Sequence, residues 1–323
     1  MYNTIISFVL KHSLINHNDT IIVGLSGGPD SVFLFHYLLS IKTTYNLTLI
    51  AAHLNHQWRL EADDEELFCK SLAEHYAIPF VSEKLSQLAH VAHNNGSKEA
   101  YARSIRRFFL ESVAQNYSAQ SIALGHHAQD QQETFFIRLI RGTSLTGLTC
   151  IQPRRGLYIR PLLEINKSDI LEWLQNNTVS YVTDISNESE HYLRNRIRAT
   201  VLPALQLCDE RFNNRFLATI DRLQKADIFL QKVATTLLQD IVYKESTICI
   251  LNTAKLAHID SALHHYIIIQ WLISQKVAFQ PTESFLNEII RFLLSNRGGT
   301  HHIHQQWSIV KKANRACINR SSQ

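Results

Sequence analysis

The chain has 323 residues, 45% of them hydrophobic and 19% charged, with 32 Lys and Arg against 28 Asp and Glu for a formal net charge of +4. That composition excludes a disordered, collagen-like or low-complexity chain, and the length suits about two domains of roughly 150 residues each. Five cysteines at 69, 150, 208, 249 and 317 form no CxxC pair, which argues against a zinc site and for reduced thiols in a cytosol-like compartment.

The opening MYNTIISFVL has no basic region before its apolar stretch and reads as an amphipathic helix, not as a signal peptide. Short β-branched runs follow at 20–25, 47–53, 78–82 and 121–125, alternating with helical spacing at 31–41, 62–76 and 98–117. This alternation predicts a parallel sheet covered by helices. A further strand is expected near 158–163 and a helix over 167–175. Helices are expected at 220–242, 254–275 and 282–296, then a hairpin within 298–319, where Gly-Gly precedes an alternating run. The expected fold class is therefore α/β over 1–212, followed by a smaller, mostly helical domain over 213–323 ending in a hairpin. The longest apolar runs, such as 32–39, fall short of the ~18 residues that suggest a membrane span, so a soluble, cytoplasmic protein is expected.

Residues 24–31, GLSGGPDS, join the first strand to the first helix of the alternating region. Backbone N–H groups and the positive end of the helix dipole suit a phosphate there. Gly27 and Gly28 let the backbone approach the anion, while Ser26 and Ser31 add hydroxyls. Asp30 beside a phosphate is repulsive unless it holds a cation, which suggests magnesium. No Walker Lys is present. Asp130 and Glu133, three residues apart at a predicted helix start, can face the same end of the sheet.

SGGPDS at 26–31 resembles the PP-loop of ATP pyrophosphatases. HLNHQWR at 53–59, GSKEAYARSIR at 96–106, GHHAQDQQET at 125–134, RPLL at 160–163 with Lys167-Ser168-Asp169, DISN at 184–187 and YLRNRIRATVLPAL at 192–205 together resemble the tRNA(Ile)-lysidine synthases. The resemblance implies a PP-loop catalytic domain over 1–212 and a tRNA-binding domain over 213–323. It implies ATP as substrate, magnesium, free lysine and a CAU-anticodon isoleucine tRNA as partners. In that reaction the carbonyl oxygen of the first anticodon cytidine is adenylated, and lysine attacks carbon 2 with release of pyrophosphate and AMP. Carried over residue by residue, ATP contacts fall on Ser26, Gly27, Gly28, Pro29, Asp30, Ser31, His53 and His127. Catalytic roles fall on Asp30, Asp130 and Glu133, and lysine or tRNA contacts on Arg103, Arg106, Arg194, Asn195 and Arg198. Asp30 is the candidate magnesium ligand. Two positions depart from the family pattern: Gln129 stands where a first acid is usual, and Arg107 where an aromatic is usual. Many members continue into another C-terminal domain, and this chain is expected to stop after the first; a homodimer is kept as an open assembly state.

Residues 191–225 hold seven basic residues against three acids, and residues 297–323 hold five against none. Two such clusters suit phosphate contacts with a folded RNA, whereas the five acids of 61–66 read as a solvated helix start. A tRNA thiolase of the same superfamily and an inactive nucleotide- or RNA-binding module stay open as alternatives. Thiolases commonly use paired cysteines or an iron–sulfur cluster, which five scattered cysteines fit badly.

Overall fold

The computed structural model describes residues 1–58, 61–88, 98–183, 193–246, 248–279 and 282–320. The DISN segment at 184–187 lies outside the described residues. Two compact units divide the chain: Met1–Gly142 with Cys150–Thr219, and Thr143–Thr149 with Ile220–Gln323.

The first unit contains α1 (Tyr2–Lys11), β1 (Thr20–Gly24), α2 (Pro29–Tyr45), β2 (Thr48–Asn55), α3 (Ala62–His75), β3 (Phe80–Lys84), α4 (Lys98–Asn116), β4 (Ser121–Ala123) and α5 (Ala128–Ile140). After α6 (Leu145–Leu148), which belongs to the second unit, come β5 (Arg154–Arg155), β6 (Tyr158–Ile159), α7 (Lys167–Asn176), α8 (Leu193–Arg196) and α9 (Leu202–Cys208). A π-helical segment at Ile197–Val201 joins α8 to α9. The helix α10 (Phe212–Ile241) follows.

The sheet order is β3-β2-β1-β4-β6-β5, parallel throughout except for β5 against β6. Strand β1 is apolar on both faces because helices cover both. Ile21 and Val23 enter a core with Phe33 and Leu34 of α2, while Ile22 joins Ile50, Ile122 and the α4 residues Ile105 and Phe109. In α2, residues 31–35 are all buried, so its sequence is apolar all round. Strand β3 starts two residues later than its apolar run suggests, because Pro79 has no N–H to give the ladder. The chain runs outward from β1 to β3 and then returns to β4. The carboxyl ends of β1 and β4 therefore form the switch point at which sheets of this kind bind ligands.

The acidic run at 61–66 is less solvated than the sequence suggests. Asn55, itself buried, donates to Asp63 at 2.8 Å and to Glu66 at 2.9 Å, and Ser82 also donates to Glu66.

The second unit holds β7 (Val242–Glu245), β8 (Ile248–Asn252), α11 (Thr253–Ala257), α12 (Ser261–Ser274), α13 (Glu283–Leu294), β9 (Gly299–His304), β10 (Trp307–Lys312) and β11 (Arg315–Arg320). Leu286, Ile289 and Leu293 of α13 pack with Ile267, Trp271 and Leu272 of α12. The expected hairpin is present as β9–β10, but it belongs to a five-stranded antiparallel sheet of order β7-β8-β11-β10-β9. The buried Asp227 accepts from Thr146 at 2.6 Å, Gln231 at 2.7 Å and Tyr266 at 2.9 Å, which ties the 143–149 segment into this unit.

Candidate active site

The loop after β1 is shaped by backbone demands that only particular residues meet. Gly27 has a φ of +83°, and a Cβ there would lie 3.3 Å from Val182 and 3.4 Å from the Cys69 sulfur. Val182 donates its N–H to the Gly27 carbonyl at 2.9 Å. Pro29 opens α2 at the position where a missing N–H costs nothing. The buried Ser31 hydroxyl accepts from the Ser26 N–H at 3.1 Å and donates to the Gly28 carbonyl at 2.9 Å, so it holds the loop together. Ser26 remains exposed. The first turn of α2 then presents N–H groups that lack intrahelical acceptors.

The turn after β4 is pressed against this loop. A Cβ on Gly125 would come within 2.8 Å of the Asp30 carbonyl oxygen. That close approach sets His127, the residue before α5, next to Asp30. His127 Nε2 lies 3.6 Å from Asp30 Oδ1 and 3.6 Å from Asp130 Oδ2, and Asp130 also accepts the His127 N–H at 2.9 Å. Lys167, at the start of α7, donates to Asp30 at 2.5 Å. Burial alone would raise the Asp30 carboxyl pKa, but the His127 hydrogen bond and the charges of His127 and Lys167 outweigh it and hold it low. Burial likewise opposes a charged His127, and the hydrogen bond to Asp30 with the charges of Asp130 and Asp30 raises its pKa overall.

One turn along α5, Glu133 is wholly buried. Arg198 donates its Nε to Oε1 at 2.6 Å, and Arg194 Nε lies 3.0 Å from Oε2 without the alignment of a hydrogen bond. Both arginines come from the segment that contains the π-helical turn. Asn195, between Arg194 and Arg196, is half-buried. His53 in β2 is buried, and its Nδ1 donates to the Leu25 carbonyl at 2.9 Å, which fixes the neutral tautomer. Arg103 and Arg106 lie on α4, with the Arg106 guanidinium 3.8 Å from where a Cβ on Gly24 would stand.

The structure thus brings together Asp30, His127, Asp130, Glu133, Arg194 and Arg198. Asp30 Oδ1 and Asp130 Oδ2 both face His127 Nε2 at 3.6 Å, and carboxylates beside a phosphate loop are the ligand type that magnesium takes one or two at a time, completing its shell with phosphate oxygens and water. Among the described residues, no three His, Cys, Asp or Glu side chains form a self-sufficient metal site. Gln129 is partly exposed on α5. Lys167 is the residue the sequence reading passed over: its segment was recognisable, but nothing local signals that an ammonium 137 residues away in sequence meets Asp30. A cleft of about 470 Å³ in the same unit, lined by Thr4, Glu164, Asp169, Glu172 and Trp173 among others, contains none of these groups. No helix among the described residues is long and apolar enough to cross a membrane.

Comparison with known proteins shows a family match and related sequences. The PP-loop domain family model matches residues 3–205. The tRNA(Ile)-lysidine synthase of Clostridium acetobutylicum is 38% identical over 226 residues, covering 69% of this chain and 48% of that protein. That of Bacillus subtilis is 34% identical over 255 residues, covering 77% and 54%. A Listeria monocytogenes protein named bifunctional protein TilS/HprT is 31% identical over 296 residues, covering 90% and 46%. The chain spans about half the length of the curated relatives it matches. Among solved structures, the U34-tRNA thiolase NcsA from Methanococcus maripaludis with its [4Fe-4S] cluster superposes with a TM-score of 0.59 at 18% identity, covering 69% of this chain and 78% of that one, which is a likeness of fold. A glycine loop at the switch point, an acidic residue opening the helix behind it and a family match over most of the first unit lead to one conclusion: the chain belongs to the PP-loop domain family.

Proposed function

We propose that the chain ligates free lysine to carbon 2 of the first anticodon cytidine of a CAU-anticodon isoleucine tRNA, using ATP, in a cytoplasmic setting. In this reading the 24–31 loop and the α2 N-terminus take the ATP phosphates, with His53 and His127 lining the nucleotide. Asp30 and Asp130 would hold magnesium, whose charge offsets that of the phosphates. The cytidine O2 attacks the α-phosphorus, pyrophosphate leaves, and carbon 2 becomes electrophilic. Asp130 and Glu133 then receive the lysine ammonium, which must shed a proton before it attacks and AMP departs. The second unit would grip the tRNA.

The observation that carries this reading is Glu133, a wholly buried carboxylate one helical turn from Asp130 and already matched to cationic side chains. A site that buries a carboxylate against Arg198 can exchange that cation for another, and an amine substrate is one. Two of the five cysteines, Cys69 and Cys150, are buried and ill suited to sulfur transfer. Burial pushes the Cys69 and Cys150 thiols up to about 12, far from the thiolate that sulfur transfer needs.

The test is incubation of the protein with ATP, magnesium, labelled lysine and the CAU-anticodon tRNA. Label should enter the tRNA, and Asp30→Ala should abolish it. ATP cleavage with the label left free would overturn the role of lysine.

A further inference from the structure

The segment that brings Arg194 and Arg198 to Glu133 is one helix with an irregular middle. Arg196, Val201 and Leu202 all have helical dihedrals, so α8, the π-helical turn at Ile197–Val201 and α9 run on without a break. At the end of the turn the Leu202 N–H donates to the Ile197 carbonyl, five residues back instead of the usual four. The sequence supplies a reason. Pro203 has no N–H to give the Ala199 carbonyl four residues back, and its ring crowds that carbonyl. Widening the turn by one residue relieves the clash. Pro203 is itself exposed, so it acts through the backbone and not through packing.

The register that results decides which side chains face α5. At 3.6 residues per turn, positions five apart stand roughly 140° apart round a helix axis. The π-helical turn instead brings Ile197 and Leu202 nearly into line, and both are buried. Arg194 and Arg198, four apart, share another side of the helix and both reach Glu133. The far end is tied to the same turn of α5. Gln132, wholly buried beside Glu133, donates from Nε2 to Asn213 Oδ1 at 2.8 Å, and Gln206 of α9 donates to the same oxygen at 3.2 Å. With α9 held there, loss of the extra residue would swing everything before Leu202 by about 100° and carry both arginines off Glu133.

We propose that Pro203 is a positioning residue for the lysine step: by imposing the π-helical turn at Ile197–Val201, it sets the register in which Arg194 and Arg198 meet Glu133. The proposal deepens the function given above and rests on it for the identity of the amine. In that reading Arg198 and the lysine ammonium compete for one buried carboxylate. The competition loosens the grip of Glu133 on the ammonium, which has to give up a proton before it attacks. With the arginines turned away, Glu133 holds the amine more tightly and favours its charged form.

The experiment measures Arg198→Ala in three backgrounds: the unmodified protein, Pro203→Ala, and Pro203→Ala with Ala199, an exposed residue of the turn, deleted. Pro203 is exposed and Ala is the better helix former, so the first change leaves the chain able to fold. Urea unfolding reads the register without any substrate. Arg198→Ala should raise the unfolding equilibrium constant about tenfold in the unmodified protein, but less than about twofold once Pro203 is replaced, because the arginine has already left Glu133. Deleting Ala199 puts Ile197 and Leu202 four apart, the α-helical spacing, so the tenfold effect should return. With ATP and tRNA saturating, Pro203→Ala alone should lower both the lysine KM and kcat about threefold and leave the ATP KM unchanged, and the deletion should restore both constants. A loss of packing would give neither that split nor its rescue. A full tenfold effect of Arg198→Ala beside Pro203→Ala, or lysine constants unmoved by Pro203→Ala while lysidine forms, would overturn the proposal. If the unmodified protein forms no lysidine, the functional reading falls, and the unfolding cycle alone decides whether Pro203 positions Arg198.

Discussion

Arg198 donates its Nε to Glu133 at 2.6 Å, and the carboxylate it meets has no exposed surface. Removing one partner of a buried pair leaves the other charge uncompensated, which costs several kcal/mol in a closed interior. Arg198 itself is partly exposed and Arg194 stands by, so Arg198→Ala should cost less, about 1–2 kcal/mol. Arg194→Ala, which lacks the aligned hydrogen bond, should cost under ~1 kcal/mol. Adding Glu133→Gln to Arg198→Ala should recover part of the loss. Urea unfolding of the three variants measures these differences, and equal losses for Arg198→Ala and Arg194→Ala would contradict the asymmetry.

Gly125 is a second point of strict geometry. A Cβ there would press 2.8 Å from the Asp30 carbonyl oxygen and 2.9 Å from its carbonyl carbon, and backbone cannot swing aside as a side-chain tip can. Gly125→Ala should therefore displace the first turn of α2, costing about 1–3 kcal/mol. A shift of ~1 Å there should lower adenylation roughly a hundredfold. Gly142, at φ +71° with open space round its Cβ position, is the contrast. Gly142→Ala should cost about 1 kcal/mol and leave adenylation unaltered. Thermal melts with pyrophosphate release assays separate the two cases.

The histidines give the first unit a defined response to acid. Burial, the Arg106 charge and His53 hold His56 down at about 4, and His126 is held near the same value. A histidine whose folded pKa is depressed takes up its proton first in the unfolded state. Stability is therefore lost as pH falls below ~6.5 and levels off near ~4. Each group contributes at most about 1.4 kcal/mol per pH unit in that window. His127 acts in the opposite sense. Its raised pKa adds stability that is complete below ~6.5 and fades as pH rises through the folded value, and Asp30, depressed, keeps its own contribution until pH falls below ~4. Below ~6.5 His127 is protonated in both states, so the two depressed histidines set the slope and stability should fall on going from pH ~6.5 to ~4. His126→Gln should flatten that slope, while His127→Asn should leave it unchanged and remove instead a decline in stability as pH rises above ~6.5. Denaturant titrations on both sides of pH ~6.5 read the two effects.

Much of this was legible in the sequence because the physics is local. The apolar strand, the glycine loop and the helix opened by Pro29 and Asp30 are contiguous, and the i, i+3 pair Asp130 and Glu133 needs only helical spacing. What escaped needed distant residues. Lys167 reaches Asp30, and Arg194 and Arg198 reach Glu133, through the fold alone. Strand β7, with one half-buried and three exposed residues, has no alternation to betray it. Counting charges along the chain also overstated the free basic surface, since Arg194, Arg198, Arg211, Arg215 and Lys225 all meet carboxylates.

The last strands show what such counting leaves for RNA. Of the five basic residues from Arg297 onward, Lys311 is buried and donates to the Ser295 carbonyl, Arg315 pairs with Glu245, and Arg320 lies over the Trp307 ring at 5.6 Å. The buried ammonium is held by backbone, with burial lowering its pKa, so Lys311→Gln should act on folding and shift the unfolding of the second unit. Arg297 and Lys312 are exposed, so their effect should fall on nucleic acid. Replacing both with Gln should weaken tRNA binding and reduce the log–log salt slope by no more than about two, while the melting temperature holds. Replacing Arg315 should change the slope by less than either, because its charge already has a partner. A salt series on the three variants ranks them, and a larger slope change for Arg315→Gln than for Lys312→Gln would show that the Glu245 pair opens when RNA arrives.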